Sequence, residues 1–324
     1  MEPTFPLLRL PENAIFNVLK NTNLDQLFII SLVSSKTKSL VTSFGIKARD
    51  VHIGISRRIR INVYTTKSHF TLSIYNDPND KNELFYADIT PPITDYFKYQ
   101  SRRIQTTTPF NFSDWMKHIQ LVFCYSQPLD LGFYQYCERF EVQSLKDAIG
   151  NVDVLSVAGQ VTDVYKKEVL KCFNAPNELF LERNPFDEVC EIQKLFIQNY
   201  KMIAFPGVYS LDDMLLVNSE KVRFTKPISQ KQFNQFLKHW IRGSNPRLQY
   251  MFLSIDNTDS VSSEEPLKGI DCFDVAEEDQ QEICRKYRIK SYYMVAIRRK
   301  DGTPAVIAAE DFLNVLCVRF IVFY

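Results

Sequence analysis

Glycine is scarce in this chain, and its scarcity excludes several kinds of functional site. Only 9 glycines occur among 324 residues, and none stands in a Gly-x-x-x-x-Gly-Lys, Gly-x-Gly-x-x-Gly or Gly-x-Ser-x-Gly arrangement. Loops that cradle phosphate or expose a nucleophilic serine need such glycines, because the backbone must turn sharply and approach its ligand closely. We therefore predict neither a nucleotide-binding loop nor a serine hydrolase site.

Metal-binding and disulfide patterns are also missing. The four histidines (His52, His69, His118 and His239) form no His-Glu-x-x-His motif, and the seven cysteines include no Cys-x-x-Cys pair. An odd number of scattered cysteines is typical of free thiols in a reducing compartment. Acidic clusters at 212–213 and 277–279 are explained more simply as helix-terminal charges than as metal ligands. We expect buried free thiols, no metal and no cofactor.

The chain has little net charge and no long apolar run. Its formal charge is +1, so no overall field attracts nucleic acid or an anionic membrane. The longest apolar stretch, residues 312–324, is interrupted by Arg319 and is too short to span a bilayer. The N-terminus lacks the basic and apolar regions of a signal peptide. We expect an intracellular protein, cytoplasmic and/or nuclear, with no membrane association.

Apolar residues are in surplus within the first 45 positions. Pro11 suits the first position of a helix, asparagines at 21 and 23 end that helix, and two further short helices follow to about residue 44. Three such helices are too small to bury a good core alone. The surplus therefore indicates either a helical cap on a larger domain or a docking surface for a partner's helices.

This segment resembles an F-box over residues 5–45. The resemblance rests on Leu8-x-Leu10-Pro11, Val18-Leu19, Leu24-x-x-Leu27 and Ser31-x-x-Ser34-Ser35-Lys36. It implies docking onto a Skp-type adaptor and, through it, onto a cullin, with Leu10 and Pro11 as the leading contacts. The sequence does not separate adaptor-facing residues from those inside the bundle. The candidate adaptor-binding residues are Leu8, Leu10, Pro11, Ile15, Val18, Leu19, Leu24, Leu27 and Ile30.

Residues 46–110 predict a linker and a small antiparallel β unit. Apolar and polar residues alternate over 58–64 and again over 70–75, with a short polar loop between them. A cluster of turn-forming residues follows at 76–82, and the Pro91-Pro92 pair opens a stretch that we interpret as an exposed connection.

From residue 111 onward, strand and helix patterns alternate. A helix opens near Ser113, and the run Ile119–Cys124 suggests a strand. Short apolar strands then start near residues 154, 179, 202, 222 and 248, with helical patterns at 163–172, 186–198, 211–218 and 229–241. This spacing is typical of leucine-rich-repeat-type solenoids, although an ordinary α/β layer with parallel strands also fits. We favour a degenerate leucine-rich-repeat-like α/β domain over 111–324.

Alternation along these strands separates two faces. Leu155, Val157, Leu179, Leu181, Val222 and Phe224 are predicted to point inward. The opposite face is then a candidate substrate surface, with the outward residues Ser156, Phe180, Glu182, Lys221 and Arg223.

The C-terminal part predicts a helix and a hairpin. An acidic helix covers 277–287, and two strand-like runs flank Asp301-Gly302, for which we expect a type I′ turn. The final apolar run is expected to pack against this hairpin.

The same region carries a second resemblance, to the type 2 F-box-associated domain of a nematode-expanded family. Its most specific piece is the block Trp240-Ile-Arg-Gly-Ser-Asn-Pro-Arg-Leu248, within a similarity covering most of residues 110–310. Together the two resemblances imply domains at 1–45, 46–110 and 111–324. They imply a non-catalytic substrate-recognition subunit of a Skp–cullin–F-box ubiquitin ligase, with an unknown protein as its substrate.

Basic clusters keep an alternative open, namely a ligase-independent scaffold or RNA-binding protein. They occur at 57–60, 102–103, 285–290 and 298–300, with aromatic residues interleaved in the third. Solvated charged faces explain them as well. Cys137 beside Glu138 is a nominal nucleophile, but no base can be assigned to it.

Overall fold

The structure, a computed structural model, describes residues 9–75, 94–99, 102–105, 112–174, 176–206, 210–256, 265–291, 293–312 and 315–324. The chain forms two compact units. The first comprises residues up to 153 together with 168–175, and the second comprises 154–167 together with 176–324. The predicted domain boundaries at 45 and 110 remain a proposal.

Three short helices open the first unit, as the F-box resemblance implies. They are α1 (Glu12–Lys20), α2 (Leu24–Ser31) and α3 (Ser35–Ser43). Ser34 begins α3 with a capping box: its hydroxyl accepts from the Thr37 amide at 3.2 Å, and the Thr37 hydroxyl accepts from the Ser34 amide at 3.0 Å. Pro11 is the N-cap of α1, with a non-helical ψ of 145°, and not its first helical residue as predicted. Its carbonyl accepts from the Ile15 amide at 3.1 Å and so closes the first turn.

A mixed sheet follows in the first unit. Its strands are β1 (Ala48–Ile55), β2 (Ile59–Thr65), β3 (His69–Tyr75), β4 (Thr94–Tyr99), β5 (Arg102–Gln105) and β6 (Leu129–Phe133). The order is β6-β1-β2-β3-β4-β5, with β1 and β6 parallel and the other pairs antiparallel. The predicted β2–β3 hairpin is confirmed. The exposed connection predicted after Pro92 is wrong for β4 and β5, which are strands. In β4, the strand-forming residues Tyr96, Phe97 and Tyr99 outweigh the preceding proline pair.

Two helices, α4 (Phe112–Val122) and α5 (Val142–Ile149), complete this unit. The strand predicted at 119–124 is wrong, because α4 continues through it. Trp115, Ile119 and Val122 are all buried and lie four and three residues apart, which is the spacing of one helix face. Within a short window, the helical and strand interpretations of this apolar run could not be distinguished.

The second unit begins with strands and helices in strict alternation. They are β7 (Val152–Val157), α6 (Asp163–Cys172), β8 (Glu178–Leu181), α7 (Val189–Phe196), β9 (Met202–Phe205), α8 (Leu211–Leu216), β10 (Lys221–Phe224), α9 (Gln230–Ile241) and β11 (Tyr250–Asp256). The first two residues of β7 and the last five of α6 are counted with the first unit. All five strands are parallel, and each pairs with the next in sequence. The predicted strand starts and helices are confirmed in place and type.

This sequential order leaves one face of the parallel strands free of their connecting helices. Right-handed connections that always advance in one direction place the helices on a single face. Burial agrees: Leu179, Val222 and the other residues predicted to point inward are buried, while their neighbours Phe180 and Arg223 are not. The described parallel strands show no reversal of order of the kind that defines a doubly wound sheet.

The sheet of the second unit closes with antiparallel strands. These elements are β12 (Phe273–Asp274), α10 (Glu277–Tyr287), β13 (Tyr293–Arg298), β14 (Pro304–Phe312) and β15 (Val315–Val322). The final apolar run is itself a strand, since β15 pairs with both β11 and β14. The β13–β14 hairpin is confirmed, but its type I′ turn is wrong. Only Gly302 has a positive φ, +91°, as in a type I turn followed by a left-handed glycine.

Candidate functional site

The second F-box helix is anchored in the core of the first unit. Phe28 is fully buried, and its ring centroid lies 4.8 Å from that of Phe70, 5.9 Å from that of Phe123 and 6.1 Å from that of Trp115. These rings come from β3 and from α4 and its C-terminal end. The F-box bundle therefore does not close its core alone; strand β3 and helix α4 complete it.

A buried polar contact reinforces this packing. The Ser31 hydroxyl lies 2.7 Å from His118 Nε2, and both residues are buried. Burial lowers the pKa of His118 from its ordinary 6.5 to about 4, with a smaller contribution from the charge of Lys38. The imidazole is consequently neutral near pH 7 and can share one hydrogen bond with the hydroxyl of α2.

The structure divides the candidate adaptor-binding residues into two sets. Buried in the bundle are Ile15, Leu19, Leu24 and Leu27. Exposed or partly exposed are Leu10, Pro11, Val18 and Ile30. Leu8 lies outside the described residues. Pro11 and Val18 stand seven residues apart, which puts them on the same side of α1.

Two further apolar side chains of the F-box face solvent and were not singled out from the sequence. Val33, in the turn between α2 and α3, is 65% exposed, compared with 47% for Val18. Phe16 is also exposed and stacks on Phe44, with ring centroids 4.5 Å apart. Two features of the sequence could have identified them. Val33 is an apolar residue in a short turn, and Phe16 directly follows Ile15, so it points to a different side of the helix.

The second candidate surface is the sheet face of the second unit opposite its connecting helices. Strand register places one row of side chains across this face. The row contains Ser156, Phe180, Ala204, Arg223, Phe252 and Arg319. A neighbouring row contains Val154, Glu178, Met202, Lys221 and Tyr250. Four of the five candidate substrate-binding residues therefore lie in these two rows.

Phe252 is flanked by two arginines on this face. The guanidinium of Arg223 lies 5.4 Å from its ring centroid, and that of Arg319 lies 5.6 Å away. Arg319 also forms an ion pair with Glu310 at 3.0 Å. Phe252 and Arg319 were missed from the sequence, since their strands pair only in the folded sheet.

Helix α10 borders this surface. Ile283 of α10 packs with Met294, Val306 and Ile321, which belong to β13, β14 and β15. Tyr287 stacks on Tyr250 with ring centroids 5.9 Å apart. Helix α10 thus covers the antiparallel end of this face as far as Tyr250, and in the described part of the chain Phe180, Lys221 and Arg223 remain exposed or partly exposed.

The fifth candidate, Glu182, has a structural contact. Its carboxylate accepts a hydrogen bond from the Gly159 amide at 2.7 Å. Glu182 is exposed, but it also fixes the loop that follows β7. Contact with a substrate remains a prediction for all five residues.

The block Trp240–Leu248 holds helices α8 and α9 together. Trp240 is fully buried and meets Phe320 edge-to-face with ring centroids 4.9 Å apart. Asn245 donates from its side-chain amide to the carbonyls of Met214 at 3.0 Å and Val217 at 2.8 Å, at the end of α8. This block is therefore a structural element of the second unit.

Among the described residues, reactive side chains do not assemble into a catalytic arrangement. Burial raises the pKa of the Cys137 thiol, and the charge of Glu138 raises it further, so the thiolate is disfavoured. All seven cysteines are free, but only Cys137 is buried as expected. Partly exposed are Cys172, Cys284 and Cys317, and fully exposed are Cys124, Cys190 and Cys272.

Acidic residues have local explanations. Asp213 accepts from the Ser210 amide at 3.0 Å and from Gln193 Nε2 at 2.8 Å, and so caps α8. Among the described residues, Glu188, Cys190 and Glu191 could together approach one metal ion, but they are near neighbours at the solvent-facing start of α7. Solvated helix-terminal charges account for that group. No helix within the described part of the chain is long and apolar enough to cross a membrane.

The N-terminal helices match a known domain family: the F-box domain family matches residues 7–49. The family described as F-box associated matches residues 191–253, which include β9, α8, β10 and α9. The F-box associated domain-containing protein sdz-33 of Caenorhabditis elegans is 22% identical over 252 residues, 77% of this chain and 78% of that protein. No solved structure matches the chain.

The chain therefore carries an F-box followed by an F-box associated segment, and both predicted resemblances are confirmed. F-box domains in general bind the Skp adaptor within cullin-containing ubiquitin ligases, and proteins that carry them generally act as substrate adaptors. F-box associated segments suggest substrate binding. Domains of both kinds are typical of non-catalytic adaptor proteins.

Proposed function

We propose that this protein is the substrate-recognition subunit of a Skp–cullin–F-box ubiquitin ligase. In this role the F-box binds the Skp-type adaptor, and the second unit binds a protein that is to be ubiquitinated. The protein performs no chemistry; it holds the substrate beside the conjugating enzyme and so raises its effective concentration. The observation that supports this proposal most is that Val18 and Val33 of the F-box stay exposed even though β3 and α4 complete its core.

The adaptor surface is best represented by Val18 and Val33. Ile15, Leu19, Leu24 and Leu27 are occupied in the bundle and support its shape. Exposed apolar residues on a small domain are candidates for burial by a partner, and a few such residues carry most of the energy of an interface. Leu10 and Pro11 extend the same proposal to the start of α1.

The substrate surface is the open sheet face around Arg223 and Phe252. An aromatic ring between two guanidinium groups offers apolar area and charge together, and interfaces are enriched in both residue types. Lys221 and Phe180 lie in the same two rows. We expect a substrate segment that presents acidic and apolar side chains.

A binding measurement tests the adaptor claim. The double variant Val18→Asp with Val33→Asp should bind the purified Skp-type adaptor at least about tenfold more weakly, because charges would be buried against apolar partner residues. The variant Leu10→Ala with Pro11→Ala should weaken binding in the same direction. The measurement is titration calorimetry with the full chain.

A matched control is available in the second unit. Val164 and Ile197 are exposed apolar residues outside the F-box, and changing both to Asp should leave adaptor affinity unchanged. Undiminished binding by both F-box variants would reject the proposed docking surface.

A further inference from the structure

A groove on the sheet of the first unit combines arginines with tyrosines. It encloses about 780 Å³ beside the β1–β2 hairpin and the residues that follow β6. None of the described residues that line it is acidic. The residues that characterise it are His52, Arg57, Arg58, Arg60, Tyr134 and Tyr136.

The floor of this groove is an aromatic ring laid on two glycines. Gly54 of β1 pairs with Gly132 of β6 in the parallel register. A Cβ on Gly132 would stand only 2.7 Å from Tyr134 Oη and 2.8 Å from its ring carbons, so a larger residue there would displace the tyrosine ring. The Tyr134 hydroxyl lies 3.3 Å from His52 Nε2, which steadies the ring.

At the edge of the groove, one arginine is positioned by an aromatic ring, and a second lies on the face of the floor. The Arg57 guanidinium lies 5.2 Å from the ring centroid of Tyr136, and Arg139 Nη1 donates to the Arg57 carbonyl at 3.1 Å. Arg60 stands directly across from Gly54 in the β1–β2 register, on the same face as the floor. A guanidinium that is already positioned loses less conformational freedom when it binds a carboxylate or phosphate bidentately.

We propose that this groove binds a short anionic peptide segment of another protein, carrying clustered phosphate or carboxylate groups. Charge complementarity supports this occupant, since cations line the groove and no described lining residue opposes them. If the segment belongs to a substrate, the proposal rests on the proposed function and names the chemistry of that substrate.

Nearby carboxylates argue for a short segment and against a nucleic acid strand. Asp130 pairs with His52 across β6 and β1, and Asp50 lies two residues before His52 on the same strand. A continuous polyanion that extended from the arginines past His52 would meet both carboxylates. A peptide with locally clustered charge need not extend that far.

Fluorescence anisotropy with the full chain tests this proposal. The probes are a labelled nine-residue Gly-Ser peptide carrying two phosphoserines, the same peptide with two glutamates, the same peptide with two unmodified serines, and a nine-nucleotide oligouridine. At least one anionic peptide should bind about tenfold or more tightly than the unmodified one. The phosphoserine and glutamate arms show which anion is preferred.

Four variants test whether the affinity depends on the groove. Arg57→Glu with Arg60→Glu should reduce anionic peptide affinity about tenfold or more, whereas Arg298→Glu, on an exposed strand position of the second unit, should not. Tyr136→Phe should retain affinity because the ring face remains under Arg57, and Tyr136→Ala should lose part of it.

Equal binding of charged and uncharged peptides, or indifference to the double arginine variant, would overturn the proposal. Tighter binding of oligouridine than of either anionic peptide, lost in the same variant, would overturn it in favour of a nucleic acid site. Peptide binding does not require the adaptor, so failure of F-box docking and failure of this groove are separate results.

Discussion

At the scale of single residues, Asn245 explains why the block Trp240–Leu248 has its pattern. The backbone of Asn245 is left-handed, with φ of +51°, and asparagine tolerates this conformation better than most residues. From that position its amide reaches three carbonyls at the end of α8: those of Met214, Leu215 and Val217. One side chain thus satisfies acceptors that a helix end leaves without intrahelical partners.

Replacing Asn245 should destabilise the protein in a defined order. Asn245→Ala removes the donor and keeps the strained backbone, so we expect a loss of about 2–3 kcal/mol in the free energy of unfolding. Asn245→Gly also removes the donor but relieves the positive φ, and should lose about 1 kcal/mol less. Urea denaturation measures both values. Equal losses in the two variants would contradict the assigned role of the backbone.

The inward and outward sets of β7, β8 and β10 followed from alternation alone, because each strand buries one face. Phe252 and Arg319 could not be assigned in this way. Their neighbourhood depends on β15 pairing with β11, and that pairing joins segments far apart in sequence. Periodicity predicts which residues share a face of one strand, but not which strands lie side by side.

At the scale of elements, the contact between Ser31 of α2 and His118 of α4 makes the stability of the first unit depend on pH. His118 has a folded-state pKa of about 4, below its ordinary 6.5. Between these two values the unfolded chain binds a proton at this imidazole and the folded chain does not. The free energy of unfolding therefore falls as the pH decreases through this window.

The pH dependence of stability provides the test. Wild type should lose up to about 3 kcal/mol between pH 6.5 and pH 4 through His118, and His118→Gln should show a shallower decline. Burial also lowers the pKa of His52, and the charge of Asp50 partly offsets this shift. The pH dependence of His52→Gln is therefore measured beside that of His118→Gln. An unchanged slope in the His118 variant, measured by urea denaturation across the window, would contradict this assignment.

Helix α4 also shows where prediction of elements from sequence stopped. Its last turn contains Ile119 and Val122, and Phe123 follows it. From the sequence alone, this apolar run is equally compatible with a buried strand. In the structure, Trp115 and Phe123 both pack on Phe28, a tertiary contact that a short window of sequence does not contain. The helix predicted at 229–241 starts where expected, because the capping box between Ser229 and Gln232 that begins α9 uses only local contacts.

At the scale of the whole molecule, the proposed adaptor surface and the proposed sheet-face substrate surface lie on different compact units. The F-box residues Val18 and Val33 belong to the first, and Lys221 and Arg223 belong to the second. Their roles should then be separable by mutation. Surface charge changes away from buried contacts usually alter stability by little.

Affinity purification of variants examines this separation. Lys221→Glu with Arg223→Glu should retain adaptor and cullin and lose a subset of the other captured proteins. Val18→Asp with Val33→Asp should do the reverse, and both variants should unfold within about 0.5 kcal/mol of wild type. Simultaneous loss of both sets of proteins from either variant would contradict independent surfaces.

The position of β15 has a consequence for biosynthesis. The parallel strands β7 to β11 can form stepwise during translation, because each pairs with its neighbour in sequence. Strand β11 then keeps an unpaired edge until residues 315–322 have left the ribosome, since β15 is its antiparallel partner. Unpaired strand edges recruit other chains. A nascent chain halted between β11 and β15 should therefore depend on chaperones more than a chain halted before β11 or a chain that already includes β15.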